Sequence, residues 1–326
     1  MFAKTVTVAL PVFVLCAGLN WGLAQNPTGS NGEGQPFTLN VPVNEVRVVF
    51  HASDSKGLPL EHLKRSDVQL FDNGKRQSRI VAFQEYRDLP IRVGFLLDYS
   101  PSMEHELDRS QEIATELTKE FFRTKSDRAF TMGFGVDSSL TQDWTGDSKA
   151  VSNGISAALS KQMYGPDGTA MFDAIYRACK DNFSNDPTMV FGNFVLLFTD
   201  GEDNSSHVWE PETVDMCQRS RTAIYVFAPR RRTMEELRGQ ELLEDLVTQT
   251  GGRVFIDGRQ SIHDALATVI SDMRYQYEVI YAPPKLKRDG SFHRIKLKCN
   301  VERSQVQARS GYYAYAKSSQ RKRGPI

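Results

Sequence analysis

The sequence lacks an excess of charge of either sign. Forty Lys and Arg balance forty Asp and Glu, so there is no basic field of the kind that nucleic acid or an anionic membrane surface requires. Cysteine is scarce, four in 326 residues, which excludes a small disulfide scaffold. Gly (23) and Pro (14) are no more abundant than average, which excludes collagen-like and linker-dominated chains. Apolar stretches longer than a single strand are missing except at the N-terminus. What remains is 40% hydrophobic and 25% charged, enough to bury a sizeable core and too apolar for a disordered chain. At roughly 100–200 residues per domain, the length favours two domains.

The N-terminal apolar segment has the layout of an export signal. Lys4 precedes the run Thr5–Leu15, and small residues follow to Gly22-Leu23-Ala24. A basic start, an apolar run of about 7–15 residues and a small-x-small site describe a secretory signal. Residues 1–24 are therefore expected to be removed after Ala24, giving a secreted or periplasmic protein. Pro11 interrupts the run, which is short of the roughly 20 residues that span a bilayer. Bulky Leu15 makes Cys16 a poor lipid-attachment site. An uncleaved membrane anchor is the alternative. Cys179, Cys217 and Cys299 would remain. One pair could oxidise, but none has C-x-x-C spacing, and three small buried hydrophobes is the favoured reading.

Residues 25–36 (QNPTGSNGEGQP) read as a linker. Residues 37–90 have strand texture. Val46, Val48 and Phe50 alternate, as do Val68 and Leu70, Asn73-Gly74 is a hairpin signal, and Ile80–Phe83 is a further strand. From Ile91 the texture changes. Ile91–Leu97 and Asn193–Thr199 are continuous apolar runs, as expected of strands buried on both faces. Phe130–Phe134, Thr222–Phe227 and Arg253–Ile256 are further strands. Helical patterns cover the surroundings of Ile113, Leu117 and Phe121, then Val151–Leu159, Met171–Cys179, Met234–Thr248 and Ile262–Met273. This alternation predicts an α/β, Rossmann-like doubly wound sheet over residues 91–274. Residues 275–316 return to β texture, with Tyr275, Tyr277, Val279 and Tyr281 alternating. The economical arrangement inserts the α/β domain into one small all-β sandwich made by 37–90 and 275–316. Two separate β units are the alternative. The basic tail 317–326 is expected to be solvated.

Ligands of open α/β sheets bind at the carboxyl ends of the strands. Asp98-Tyr99-Ser100-Pro101-Ser102 follows the first apolar strand and Asp200-Gly201-Glu202-Asp203 follows the second. Gly165-Pro-Asp-Gly-Thr169 lies just ahead of a helix. Two carboxylates and three hydroxyls, with no Cys or His, suit a hard cation, Mg²⁺ or Mn²⁺, over zinc. Neutral hydroxyl ligands from Ser100, Ser102 and Thr169 leave such a cation much of its charge. Asp98 and Asp200 can sit one shell out and hold waters. An acidic side chain of a partner protein could then complete the coordination.

At these residues the chain resembles von Willebrand factor type A domains. Asp98-x-Ser100-x-Ser102, Thr169 in a Gly-Thr loop and Asp200 in Thr-Asp-Gly match their metal-ion-dependent adhesion site, and the resemblance covers about Ile91–Met273. More closely, it resembles bacterial secreted relatives in which a Phe-Asp-Asn-Gly-Lys segment precedes the domain and Gly-Tyr-Tyr-Ala follows it, here Phe71–Lys75 and Gly311–Ala314. The resemblance implies direct metal ligation by Ser100, Ser102 and Thr169, with Asp98 and Asp200 acting mostly through water. Tyr99 departs from the small or apolar residue of many relatives and bears on ligand access.

Other groups are expected to be ordinary. Glu202 and Asp203 read as a solvated acidic loop, His105 and His207 as surface histidines, and Arg230-Arg231-Arg232 as a solvated run. Trp144 and Trp209 are placed near the site's rim, with half-buried packing favoured over a contact role. The function expected is an exported, metal-dependent protein-binding module that captures a partner's acidic side chain. No nucleic acid is involved, and membrane contact arises only through an uncleaved signal. An Mg-dependent hydrolase and a structural envelope subunit are the alternatives. Against an enzyme, Ser100 stands where an aspartyl-phosphate phosphatase needs a second Asp. There is also no G-x-S-x-G elbow, and no Gly-rich phosphate loop after the first strand.

Overall fold

A computed structural model describes residues 45–160, 168–183, 192–230 and 234–314. The expected export signal, linker and tail, the loop ahead of Gly168, and Arg231-Arg232 lie outside the described residues. The first segment supplies strands β1 (Val46–Ser53), β2 (Val68–Asp72), β3 (Lys75–Arg76) and β4 (Ile80–Tyr86). Asn73 and Gly74 turn β2 into β3 with φ of 47° and 76°, the left-handed pair a tight hairpin needs. The middle segment runs β5 (Ile91–Asp98), α1 (Leu107–Phe121), β6 (Arg128–Phe134), β7 (Ser138–Thr145), α2 (Ser148–Leu159), α3 (Met171–Arg177) and β8 (Gly192–Phe198). It continues with α4 (Glu210–Arg219), β9 (Thr222–Ala228), α5 (Met234–Thr250), β10 (Val254–Ile256) and α6 (Ile262–Arg274). The last segment holds β11 (Gln276–Tyr281), β12 (Phe292–Cys299), β13 (Gln305–Ala308) and β14 (Gly311–Tyr313).

The middle strands form one six-stranded sheet in the order β10-β9-β8-β5-β6-β7. Every neighbouring pair is parallel except β6–β7. Strand side chains alternate between two buried faces. Val93, Phe95 and Leu97 pack with Ile113, Leu117 and Phe121 of α1 and with Val269 of α6. Leu96 packs on the opposite face with residues of α3, α4 and α5. Burial on both faces explains why β5 and β8 read as unbroken apolar runs. The chain leaves β5 through α1 to β6 on one side, and later enters β8 on the other side. The strand order therefore reverses between β5 and β8, at whose carboxyl ends a crevice opens. The architecture is the expected α/β class with additional antiparallel sheets.

Two four-stranded sheets, β13-β1-β11-β4 and β14-β12-β2-β3, each mix strands from before and after the α/β segment. They share a core of Val48, Phe50, Leu70, Tyr277, Val279 and Ile295. Asp72 joins them: its Oδ2 accepts from the hydroxyls of Tyr281 (2.7 Å) and Tyr312 (3.1 Å), and its Oδ1 lies 2.9 Å from His293 Nδ1. The Phe71–Lys75 and Gly311–Ala314 motifs thus meet at Asp72 and Tyr312. The whole of β11 is buried, although its sequence alternates. Its polar residues have partners: Gln276 Nε2 donates to the Asp272 carbonyl at 3.3 Å, and Glu278 lies 3.5 Å from Arg47.

Three elements were not legible in the sequence. Strand β7 is a half-buried edge strand of mostly polar residues, so it carries neither an apolar run nor a clean alternation. Helix α4 buries Thr213, Val214, Asp215, Cys217 and Gln218, a face that is mostly polar and so carries no apolar period. Pro211 in its first turn was its available start signal. Strand β3 has two residues. The reading of the cysteines also needs correction. Cys179, just beyond α3, and Cys217 on α4 are joined in a disulfide with Cα atoms 5.1 Å apart. Both are buried. Thirty-eight residues separate them, and nothing in that spacing signals that the two helices lie side by side. Cys299 is a free thiol.

Candidate metal centre

Two aspartates end the two strands flanking the switch point, and each folds its own loop. The Asp98 Oδ1 accepts the backbone N–H of Ser100 at 2.9 Å, and the Asp200 Oδ1 accepts that of Glu202 at 3.0 Å. Both are turns in which a carboxylate caps the backbone two residues on. Pro101 then starts a 3-10 turn, Pro101–Glu106, in which the Met103 N–H donates to the Ser100 carbonyl at 3.0 Å. This turn places Ser102 back beside Ser100, with their Oγ atoms 3.2 Å apart. Gly201 has φ of 85°, and a Cβ there would lie 2.6 Å from the Gly239 carbonyl oxygen. Only glycine fits this close approach of the Asp200 loop to α5.

The third loop is tied to the second by hydrogen bonds. Thr169 N–H donates to Asn204 Oδ1 at 2.9 Å, and the Thr169 carbonyl accepts the N–H groups of Asn204 and Ser205, each at 3.0 Å. Ala170 N–H donates to the Gly135 carbonyl at 2.8 Å, beyond the end of β6. Thr199 links the first two loops: its hydroxyl donates to Asp98 Oδ2 at 2.6 Å and accepts the Gly201 N–H at 3.1 Å. The structure therefore sets Asp98, Ser100, Ser102, Thr169 and Asp200 on three mutually bonded loops at one sheet edge. Asp98, Thr169 and Asp200 are at most 2% exposed, while Ser102 is open to solvent.

The electrostatics call for a positive charge. Asp98 is buried and no cationic side chain pairs with it among the described residues. Burial, aided by the nearby charge of Glu202, pushes its carboxyl up to about 6 against the opposing hydrogen bonds from Ser100 and Thr199. An octahedral Mg²⁺ with oxygens at about 2.0–2.1 Å sets adjacent ligands about 3 Å apart, close to the Ser100–Ser102 separation of 3.2 Å. Among the described residues no cluster of three or more His, Cys, Asp and Glu forms an alternative metal site. The donor set is oxygen-only and hydroxyl-rich, and it fits a hard divalent cation.

Tyr99 does not cover this group. Its hydroxyl donates to the Asp137 carbonyl at 3.0 Å, which folds the ring back over the β6–β7 turn. Asp203 corrects the reading of a solvated acidic loop: its Oδ2 accepts the Phe172 N–H at 2.9 Å and the Ser206 hydroxyl at 2.6 Å. It caps α3, whose first turn also holds Asp173. Burial pushes the Asp173 carboxyl up, but hydrogen bonds from Val208 and His207 outweigh it and hold it below its ordinary range. His105 and His207 are surface residues. Trp144 is not at the rim. It sits where β7 pairs with the start of β6, at the opposite sheet edge, and packs edge-on against Phe130 and Phe183 at 4.7 and 5.5 Å. Trp209, expected to be half-buried, is 80% exposed. Thr199, Asn204 and Asp203 were missed, although the Thr199 hydroxyl directly before Asp200 was the available signal.

The family profile of the von Willebrand factor type A domain matches residues 93–273. No curated protein sequence matches the chain. Among solved structures, an aerotolerance-related membrane protein from Bacteroides fragilis is 16% identical with a TM-score of 0.45, covering 56% of this chain and 98% of that one. Proximal thread matrix protein 1 from the mussel byssus, solved with a zinc-occupied MIDAS motif, is 15% identical with a TM-score of 0.42, covering 57% of this chain and 48% of that one. A von Willebrand factor type A protein from Catenulispora acidiphila is 12% identical with a TM-score of 0.41, covering 73% of this chain and 72% of that one.

Proposed function

Because the chain belongs to the von Willebrand factor type A domain family, we propose that it is an exported binding module that uses a divalent cation to capture a carboxylate on a protein partner. One observation carries this reading. A buried Asp98, with no cationic side-chain partner among the described residues, stands beside two serine hydroxyls 3.2 Å apart, on loops bonded to those of Thr169 and Asp200. Ser100, Ser102 and Thr169 would hold the cation, with Asp98 and Asp200 supporting its waters. The cation would supply a Lewis-acidic position for an incoming carboxylate oxygen, and the protein would keep that position fixed by the three loops. Mg²⁺ or Mn²⁺ suits the oxygen set best, and Zn²⁺, seen in the mussel protein's motif, is the comparison ion.

The module is a binder and not an enzyme on this reading, because the hydroxyls and carboxylates are spent on holding one another and a cation. His207, the nearest imidazole to the α3 loop, lies 3.1 Å from Asp173. Export draws support from the Cys179–Cys217 disulfide, since such bonds persist in oxidising compartments. No helix among the described residues is long and apolar enough to cross a membrane.

The test is thermal unfolding of the chain in EDTA against millimolar Mg²⁺, Mn²⁺ and Zn²⁺. A cation at 100 times its Kd stabilises by about 2.7 kcal/mol. The expected result is a raised melting temperature with Mg²⁺ or Mn²⁺, lost in Asp98→Ala and Ser100→Ala. Unchanged curves in the wild type would refute the metal reading. Partner capture that survives both EDTA and Asp98→Ala would refute carboxylate capture and favour a structural subunit.

A further inference from the structure

We propose that the crevice between the β13-β1-β11-β4 sheet and the amino edge of the parallel sheet binds a small organic phosphate or sulfate, held by Arg221 and Arg309. The crevice measures about 920 Å³, large enough for a sugar-sized ligand. Gly192 and Thr222 lie on its wall, and they are the first residues of β8 and β9. The crevice is thus at the opposite end of those strands from Asp200, and the proposal is independent of the metal reading.

Charge accounting carries the argument. Of the three carboxylates on the crevice walls, Glu45 is exposed to solvent and the other two are paired. Asp215 is 2.7 Å from Arg219, and Glu278 is 3.5 Å from Arg47 and accepts the Tyr86 hydroxyl at 3.2 Å. Arg309 has no carboxylate partner among the described residues. Its Nη2 donates to the Arg47 carbonyl at 2.7 Å, while its Nε is sealed from solvent and meets no acceptor. Arg221 is exposed and makes no side-chain hydrogen bond or ion pair with the described residues. Burial, and secondarily the charge of Arg221, lower the Arg309 pKa to about 10. The two guanidinium groups act on one another as like charges, and a bound anion would offset that repulsion.

Arg221 also holds φ at 56°, a left-handed conformation that Gly or Asn adopts more cheaply. Arg221 directly follows Ser220, the C-cap of α4, so this left-handed turn ends the helix and sets Arg221 on the crevice wall. Two cationic forks neutralise a dianion, whereas one carboxylate would leave a charge uncompensated. The Arg309 guanidinium lies over the Tyr312 ring at 5.8 Å, and Tyr86, Phe194 and Leu286 also line the crevice. These surfaces suit the uncharged body of an ester.

The test uses the full chain in EDTA, with calorimetric titration and thermal unfolding in glucose 6-phosphate, glucose 6-sulfate, glucose, and NaCl at matched ionic strength. Saturable binding of at least one ester with a raised melting temperature, absent for glucose and NaCl, supports the site, and the preferred ester identifies the anion. Arg221→Gln should weaken binding tenfold or more, and it removes no hydrogen bond or ion pair with the described residues. Arg309→Gln should weaken it at least as much, with partial recovery in Arg309→Lys. Asp98→Ala should bind like the wild type. No ester binding, equal stabilisation by NaCl, or unchanged affinity in Arg221→Gln would overturn the proposal.

Discussion

Asp98 and Asp127 stand at opposite ends of β5, both buried to within 1% of complete, and their surroundings could hardly differ more. At the amino edge, Asp127 accepts the N–H groups of Ile91 (3.0 Å), Arg123 (2.9 Å) and Thr124 (2.7 Å). Its carboxylate also receives both Nη groups of the buried Arg274, at 3.0 and 2.7 Å. Burial pushes its carboxyl up, yet these bonds win and hold it at about 2. At the carboxyl edge, Asp98 has two hydrogen-bonded neighbours and no cationic side chain among the described residues, and burial raises it to about 6. One carboxylate is completed by the protein itself; the other needs something from outside. That contrast separates a structural edge from the one proposed to be functional.

The largest expected effect tests the structural edge. Asp127→Ala strips five donors of their acceptor and leaves Arg274 charged and unpaired, so it should cost about 3–5 kcal/mol in urea unfolding. A loss under about 1 kcal/mol would dissolve the contrast. Its pH dependence has a fixed sign. A carboxyl lowered from 3.8 to about 2 contributes stability that is complete above pH 4 and disappears as the pH falls through 2. Replacing Cys179 and Cys217 together by Ala should cost somewhat less, typically 2–4 kcal/mol. The melting temperature should fall by a similar amount in EDTA and in Mg²⁺, since the bridge ties α4 near its end, away from the cation loops.

The functional edge should respond in the opposite sense. With its pKa raised from 3.8 to about 6, the ionised Asp98 is a burden that grows as the pH climbs through that window, by at most about 3 kcal/mol. Asp98→Asn in EDTA should therefore melt higher than the wild type at pH 7.5 and equal to it near pH 4. The same substitution should abolish stabilisation by Mg²⁺. A variant that melts lower than the wild type at pH 7.5 would mean that Asp98 is satisfied as it stands.

How much of this was legible follows from the same physics. Double burial writes itself into composition, so β5 and β8 and the loops at their ends could be read from Ile91–Leu97 and Asn193–Thr199. The loops that carry Asp98, Ser100, Ser102, Thr169 and Asp200 could be placed because each follows or precedes a recognisable element. Elements whose buried face is largely polar, such as α4, leave a weaker trace. Groups defined only by long-range pairing leave almost none. Asp127 with Arg274, separated by 147 residues, could not be distinguished in the sequence from two surface charges. The same holds for Cys179 with Cys217, and for Arg221 and Arg309, whose significance lies in carboxylates that are not beside them.

The smallest effect on stability is expected at Trp209, and there the comparison becomes sharpest. Its ring is 80% exposed, so Trp209→Ala should change unfolding by no more than about 0.5 kcal/mol, with no change in the Mg²⁺ response. Yet it follows directly on His207 and Val208, whose N–H groups bind Asp173 at 3.0 and 2.7 Å, and Asp173 lies four residues beyond Thr169. An unburied indole on a loop anchored this firmly to the α3 start is what a contact residue beside the cation would look like, since tryptophan dominates binding energy where it becomes buried by a partner. If the site captures a protein carboxylate, Trp209→Ala should lower capture by tenfold or more while leaving fold and metal binding intact. Capture that needs the cation but ignores Trp209 would confine the interface to the three loops. A loss of several kcal/mol in stability would show that the ring packs against the protein in solution, and would remove it from the interface altogether.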